Sequence, residues 1–279
     1  MNNLKRLILE KIFRLSSDIK TRKILRYFCI DNFTKFFYYQ LFKPRNGRCF
    51  YIINGITAQF YVNSNSDFEY IMTGGNREYS IIRSLLKSLK PGYTIYDIGA
   101  FIGFHTVFFA KRVGPSGHII ALEPDSIWYE TLCSNVRLNH LTNVIPLQVA
   151  LGNAVMRGVL VKVSGGSLKV KPIPISEKYQ NQTIEIVPGD LLVRDRKLPM
   201  PNVIKIDVEG NEYAVIQGLE ETLKQNSCRV VCCEIHPSLL PQGVKPEMVV
   251  DLLKELGFRR HEIFHRGDGS IHIMCYKDY

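Results

Sequence analysis

Residues Tyr93–Ala110, YTIYDIGAFIGFHTVFFA, decide how the chain is read. Tyr93 and Ile95 alternate into an apolar run that reaches Asp97, the pattern of a buried strand. Gly99 and Gly103 follow, and an apolar-periodic run to Lys111 and Arg112 has the pattern of a helix. The element is therefore strand, glycine turn, helix. Glycine permits a close backbone approach that a Cβ excludes. The first turn of the new helix offers free N–H groups to an anionic ligand. The spacing D-x-G-x-x-x-G is neither the G-x-G-x-x-G of dinucleotide turns nor the G-x-x-x-x-G-K-[ST] of phosphate loops. Glycines at such turns also serve packing alone, so the turn by itself names no ligand.

The next strand, HIIALEPD, adds the missing piece. Glu123 closes it, 20 residues past Gly103, and Pro124 stops the ladder. An acid at that place accepts hydrogen bonds from two ribose hydroxyls. Asp97, the two glycines and Glu123 together predict a nucleoside-type ligand.

The 279 residues suffice for one large domain with an appendage, and 46% are apolar, enough for a substantial core. The runs of 18 or more residues without Asp, Glu, Lys or Arg, 49–66 and 138–156, are broken by Asn, Gly, Gln, Ser, His or Pro, so no spanning helix is predicted. Lys5, Arg6, Glu10 and Lys11 interrupt the apolar residues of the N-terminus, which is not the pattern of a signal peptide. Seven cysteines without a C-x-x-C point to neither a disulfide framework nor a zinc site. Cys133, Cys232 and Cys233 read as small core residues in a reducing compartment.

The net charge of +10 is concentrated at one end: residues 1–48 hold twelve Lys and Arg against three acids. A basic arm on a near-neutral body argues against a nucleic-acid partner. Residues 1–43 are expected to form two or three short helices, with Leu4, Leu7, Ile8, Ile12 and Leu15 on one face. Two uses compete for them: a helical cap over the core, and peripheral contact with an anionic membrane surface. The expected location is cytoplasmic, with contact at the inner membrane face on the second reading.

Short strands are expected in 45–75, with Asn54-Gly55 as a hairpin turn, and a helix over 76–89. The division expected is an N-terminal extension, 1–75, and a main domain, 76–279. From Tyr93 strands and helices alternate, which predicts an α/β domain with a parallel sheet. The predicted elements are a strand at His118–Leu122, a helix from the cap Asp125 to about Asn139, and a strand at Val144–Val149, ending in Ala150-Leu151-Gly152-Asn153. A strand-rich excursion, 155–189, carries Gly158–Val163 and Thr183–Val187 around the loop Ser164–Ser167. Then follow a strand at Asn202–Asp207, a helix over 211–225, a strand at Arg229–Ile235 and a helix over 246–256 with Pro246 at its start. The tail predicts an antiparallel pair, Arg260–Phe264 and Ser270–Tyr276, with the last strand inserted inside the sheet edge.

Open parallel sheets bind ligands beyond the carboxyl ends of their strands. Two adjacent strands end in Asp207-Val208-Glu209-Gly210 and Glu234-Ile235-His236-Pro237. If the first stays extended, Lys205, Asp207 and Glu209 share a side, and Glu234 and His236 share a side by the same rule. Polar groups at buried strand ends are costly unless paired or used. Lys205 and Glu234 are candidates for an ion pair. Asp207, Glu209, Glu234 and His236 also offer donors to a divalent cation such as Mg or Mn, a use the sequence does not favour. His105, in the first turns of the helix, is either a cofactor-pocket residue or a buried helix histidine.

DIGAFIG, ALEPD, VALGN, IKIDVEGNEYAVIQGLEETL and CCEIHP resemble the FkbM-like methyltransferases. The likeness covers roughly Asn76 to Tyr276, and its most specific pieces are IKIDVEG-x-E and EIHP. That family carries Asn where this chain has Phe101. The resemblance implies a Rossmann-like seven-stranded sheet in order 3-2-1-4-5-7-6 with strand 7 antiparallel. It implies S-adenosyl-L-methionine as cofactor, its amino-acid end near Asp97 and Gly99 and its ribose on Glu123. Ala100, Gly103, His105, Pro124 and Ala150 complete the expected cofactor residues. It implies O-methylation of a hydroxyl on a sugar, glycan, glycolipid or secondary metabolite. His236 is then the first candidate for the base, because an unperturbed imidazole titrates near neutrality; Asp207 and Glu209 come second. Two rivals remain: a nicotinamide-dependent oxidoreductase, which needs glycine where Asp97 stands, and an inactive methyltransferase fold that binds at a membrane.

Overall fold

The computed structural model describes residues 47–62, 70–71, 79–162, 168–173, 183–265 and 269–278. The helices expected in 1–43 lie outside these residues, as does the loop Ser164–Ser167. The chain divides into two compact units, Met1–Ser84 and Leu85–Tyr279. In the first, strands β1 (Arg48–Ile53) and β2 (Ile56–Tyr61) form an antiparallel hairpin about Asn54-Gly55. Cys49, Tyr51, Ile53, Ala58 and Phe60 are its buried side chains. Helix α1 (Tyr79–Ser88) leads into the second unit.

The second unit is built on β3 (Thr94–Ile98), all five of whose residues are buried. A strand covered on both faces is apolar along most of its length, and Asp97 is its one charged residue. Around it stand β4 (His118–Leu122), β5 (Val144–Leu147), β10 (Val203–Ile206), β11 (Val230–Ile235), β12 (Arg260–His265) and β13 (Ile271–Tyr276). The seven-stranded order is β12-β13-β11-β10-β3-β4-β5. Strands β5, β4, β3, β10 and β11 run parallel, and β13 lies antiparallel between β11 and β12. The order, and the inserted last strand, are those implied by the family resemblance.

Helix α2 (Phe104–Val113) leaves the glycine turn, with every residue buried but Lys111 and Arg112. Helix α3 (Ser126–Leu138) starts as expected from Asp125, whose carboxylate accepts from the N–H groups of Ile127 and Trp128. Side-chain alternation divides the sheet. Tyr96, Ile98, Ile120, Ile204, Ile206 and Val231 face one core, shared with Val215, Leu219, Leu223 and Leu253 of the following helices. Asp97, Lys205, Glu234 and His272 alternate to the other face.

The excursion after β5 differs from expectation. The run 144–153 does not stay in one sheet: β5 ends at Leu147, and β6 (Ala150–Gly152) begins a second sheet. That sheet has the order β6-β9-β7-β8, with β7 (Met156–Lys162), β8 (Leu168–Ile173) and β9 (Ile184–Pro188). A short helix α4 (Gly189–Arg196) follows. The helix expected over 211–225 is broken into α5 (Glu212–Gln217) and α6 (Glu220–Lys224). Gly218 lies at the break, where a Cβ would stand 1.9 Å from Gly152 O. Asp190 of α4 then caps α6, accepting from the N–H groups of Glu221 and Thr222 at 2.8 Å each. Helix α7 (Pro246–Glu255) has proline in its first turn, as expected.

Gly218→Ala therefore forces a methyl group onto a backbone carbonyl. Overpacking of this kind costs about 1–3 kcal/mol, and thermal denaturation should show a melting temperature lower by several degrees.

Candidate active site

The glycine turn is shaped first by the protein itself. Gly99 takes φ +77, and a Cβ there would lie 1.8 Å from Asp207 O. A Cβ on Gly103 would meet Leu132 Cδ1 of α3 at 2.5 Å. Both glycines are thus required for strand-end and helix packing. The N–H groups of Gly99 and Ala100 both donate to Leu122 O, at 3.0 and 2.9 Å, which ties the turn to the end of β4.

That bond places Glu123 against the turn. Its Oε2 accepts from Phe101 N at 2.8 Å and its Oε1 from Asp125 N at 2.9 Å. The carboxylate is 4% exposed, and each oxygen keeps capacity for a further donor. Burial pushes its pKa up to about 7, against the lowering effect of the two backbone N–H groups. Phe101 adopts φ +51, a conformation that bulky residues rarely take. Its ring meets Trp128 edge-on, with centroids 4.3 Å apart.

Asp97 is fully buried, its Oδ2 accepting from Thr106 Oγ1 at 2.6 Å and its Oδ1 making no hydrogen bond. Lys205 Nζ lies 3.3 Å from that Oδ1, 3.5 Å from Asp207 Oδ2 and 3.2 Å from Gly99 O. Lys205 thus has two carboxylate neighbours that the sequence did not assign to it. Of the other expected cofactor residues, Pro124 follows Glu123 directly. His105 is 8% exposed, stacked on Phe109 and edge-on to Phe104. Ala150 falls in the second sheet, packed with Ile184 and Ile186.

The second cluster surrounds His236, which follows β11. Its Nδ1 lies 2.8 Å from Glu212 Oε1. Its Nε2 faces Glu209 at 3.5 Å, Glu234 at 3.6 Å and Asp207 at 4.0 Å. The structure corrects the path that brings Glu209 there. The strand does not stay extended: β10 ends at Ile206, Glu209 turns to φ +53 and Gly210 to φ +98. The turn, and not alternation, aims Glu209 at the imidazole. Glu212 was missed as a site residue, although it closes the motif IKIDVEG-x-E; it is fully buried and also accepts from Gly210 N at 2.8 Å. Glu234 meets His272 Nε2 at 2.7 Å on the neighbouring strand.

This environment changes the imidazole. Burial alone would lower its pKa, but the Glu212 hydrogen bond and the charges of Asp207 and Glu209 outweigh it and raise it to about 9. The expectation of a base titrating near neutrality is corrected accordingly. One donor atom each from Asp207, Glu209 and His236 lie within 4.8 Å of one another. A divalent cation there would first have to displace the imidazolium proton.

These features meet a family. The Methyltransferase FkbM domain matches residues 97–260. The hexuronic acid methyltransferase AglP of Haloferax volcanii is 30% identical over 210 residues, covering 73% of this chain and 78% of that protein. The methyltransferase sdnD of Sordaria araneosa is 25% identical over 203 residues, covering 62% of this chain and 76% of that protein. Among solved structures, methyltransferase FkbM from Methylobacillus flagellatus is 18% identical with a TM-score of 0.47, over 70% of this chain and 46% of that one. The chain belongs to the FkbM methyltransferase family, and its seven-stranded sheet is the Rossmann-like fold of that class.

A histidine whose folded pKa lies above its unfolded value adds stability below the unfolded pKa and loses it as pH rises through the folded one. Chemical denaturation of the wild type and His236→Gln at several pH values should show the advantage of the wild type full near pH 6. It should shrink progressively above about pH 6.5 and be lost once pH passes about 9.

Proposed function

We propose that this chain transfers a methyl group from S-adenosylmethionine to a hydroxyl of a sugar or sugar-containing acceptor. The observation that carries the reading is the placing of two clusters at the carboxyl ends of the four consecutive strands β4, β3, β10 and β11. One is a buried acceptor carboxylate, Glu123, against the glycine turn. The other is a histidine backed by a buried glutamate, Glu212. The residues fit the cofactor: Glu123 keeps capacity for ribose hydroxyls beside the aromatic pair Phe101–Trp128, and Asp97 Oδ1 has no hydrogen bond. The sugar reading is supported by the 30% identical hexuronic acid methyltransferase.

S-Adenosylmethionine supplies an electrophilic methyl group, so much of the enzyme's contribution is positioning, worth about 7–11 kcal/mol in well-oriented pairs. Glu123 and the turn fix the donor end. His236 Nε2 would take the proton released as the acceptor oxygen bonds to the methyl carbon and the carbon–sulfur bond breaks, leaving S-adenosylhomocysteine. Glu212 holds the ring from behind through Nδ1 and stabilises the imidazolium that results. Asp207 and Glu209 line the approach to Nε2 and favour the same charge.

Because His236 is held near pKa 9, its basic form grows tenfold per pH unit below that value. A radiolabelled methyl-transfer assay should show kcat/KM rising with unit slope from about pH 6 to 8 and levelling near 9; a fall there instead would give the base role to Asp207 or Glu209. His236→Ala should cut turnover by roughly 10²–10⁴ and leave calorimetric binding of S-adenosylhomocysteine unchanged.

Glu123→Ala should do the reverse in kind, abolishing measurable binding. Trp128 is the single tryptophan, so its emission should change as the wild type is titrated with S-adenosylhomocysteine.

A further inference from the structure

The hairpin β7–β8 is unused by the chemistry above, yet it is fastened to the strand ends that carry it. Lys169 Nζ donates to Leu239 O. Leu239 lies one turn past His236, its N–H donating to His236 O at 2.9 Å. A Cβ on Gly210 would stand 2.3 Å from that same Leu239 O, so Lys169 grips the carbonyl that abuts the residue after Glu209. Asn211 Nδ2 donates to Val170 O at 2.8 Å. Two successive residues of β8 are thus bonded to the loops on either side of the histidine cluster.

The register decides which way the hairpin's charge points. Val161 stands opposite Lys169 and Val159 opposite Lys171, so both lysines share a face with these valines. Leu160 and Val170, on the other face, pack against Ile184 and Ile186. Arg157, further along the lysine face, stands opposite Glu185. Lys169 is half-buried and Lys171 exposed. No carboxylate among the described residues forms an ion pair with either. An ammonium has three donors, and Lys169 commits one to Leu239.

We propose that Lys169 and Lys171 form an anion subsite on the acceptor side, and that the acceptor is an acidic saccharide whose carboxylate they bind while its hydroxyl faces His236. This rests on the reading of the site as a sugar O-methyltransferase. Val161, half-buried beside Lys169, suits the C–H face of a pyranose, and the lysines suit its carboxylate. Lys169 is fastened to the loop that follows His236, and Lys171 lies two residues along the same face of β8, so an acid group is drawn to the lysines and kept from the carboxylate-rich histidine cluster.

The test separates binding from turnover. Saturation-transfer NMR with the full chain and S-adenosylhomocysteine compares glucuronate with glucose. The wild type should bind glucuronate at least roughly tenfold more tightly. Lys171→Met, which removes no hydrogen bond or ion pair among the described residues, and Lys169→Met should each lose most of that preference, with glucose binding unchanged. Lys169→Arg should keep it. Equal binding of the two sugars, binding of neither, or a preference that survives the double Met variant overturns the subsite. Labelled methyl transfer to methyl glucuronide is measured alongside. Lysine-dependent binding without transfer supports the subsite and sinks the enzyme reading; transfer without lysine dependence sinks the subsite alone.

Discussion

A buried ammonium group sets the terms for the centre of this sheet. Lys205 is 7% exposed and stands opposite fully buried Asp97 in the register of β10 and β3. A charge removed from water is tolerated only with partners, and Lys205 has Asp97, Asp207 and Gly99 O within 3.5 Å. Removing one partner of such a group costs about 3–5 kcal/mol, because the other charge is left stranded. The consequence is positional. The ends of β3 and β10 are held at one level, the Gly99 turn is pressed onto Asp207 O, and there is no room for a side chain between them. Both halves of the site inherit their geometry from that contact.

The two halves use carboxylates in opposite ways. Glu123 is buried, and the loss of water raises its proton affinity against two backbone N–H groups and the charge of Lys205. Around His236, four carboxylates share one ring, and the ring's affinity for a proton rises instead. Glu212 is the member that makes this a directed device. It is sealed from solvent and tied to Gly210 N, so the imidazole is held by a group that cannot swing away.

Much of the fold was legible because its signals are local and repeated. Apolar runs ending at Asp97, Glu123, Asp207 and His236 mark parallel strands, and Asp125 and Pro246 mark helix starts. What escaped is where one local pattern crosses a tertiary boundary. VIPLQVALG reads as one strand, but it leaves one sheet at Leu147 and enters another at Ala150. The strand LKVKPI is too rich in lysine and proline to show its alternation. The helix over 211–225 carries a single glycine that periodicity ignores, and only the carbonyl of Gly152 explains the break. In the site, Glu123 beside the turn and the convergence on His236 were readable from strand ends. The proton affinity of His236 was not, because it depends on Glu212 lying behind the ring and on a left-handed turn at Glu209. Both are facts of packing that no spacing rule carries.

The second sheet is spliced between the third and fourth strands of the central one, at Leu147 and Val203. Its attachment to the histidine loops is by two polar links from a single edge strand. Among the described residues, Phe101, Asp125, Asp97, Asp207 and Gly99, which hold Glu123 and Lys205, all lie outside it. Such a graft can be reshaped, lengthened or recharged over evolutionary time without disturbing the donor half of the molecule. One scaffold can thereby be retooled for new recipients while its supply of activated carbon stays the same.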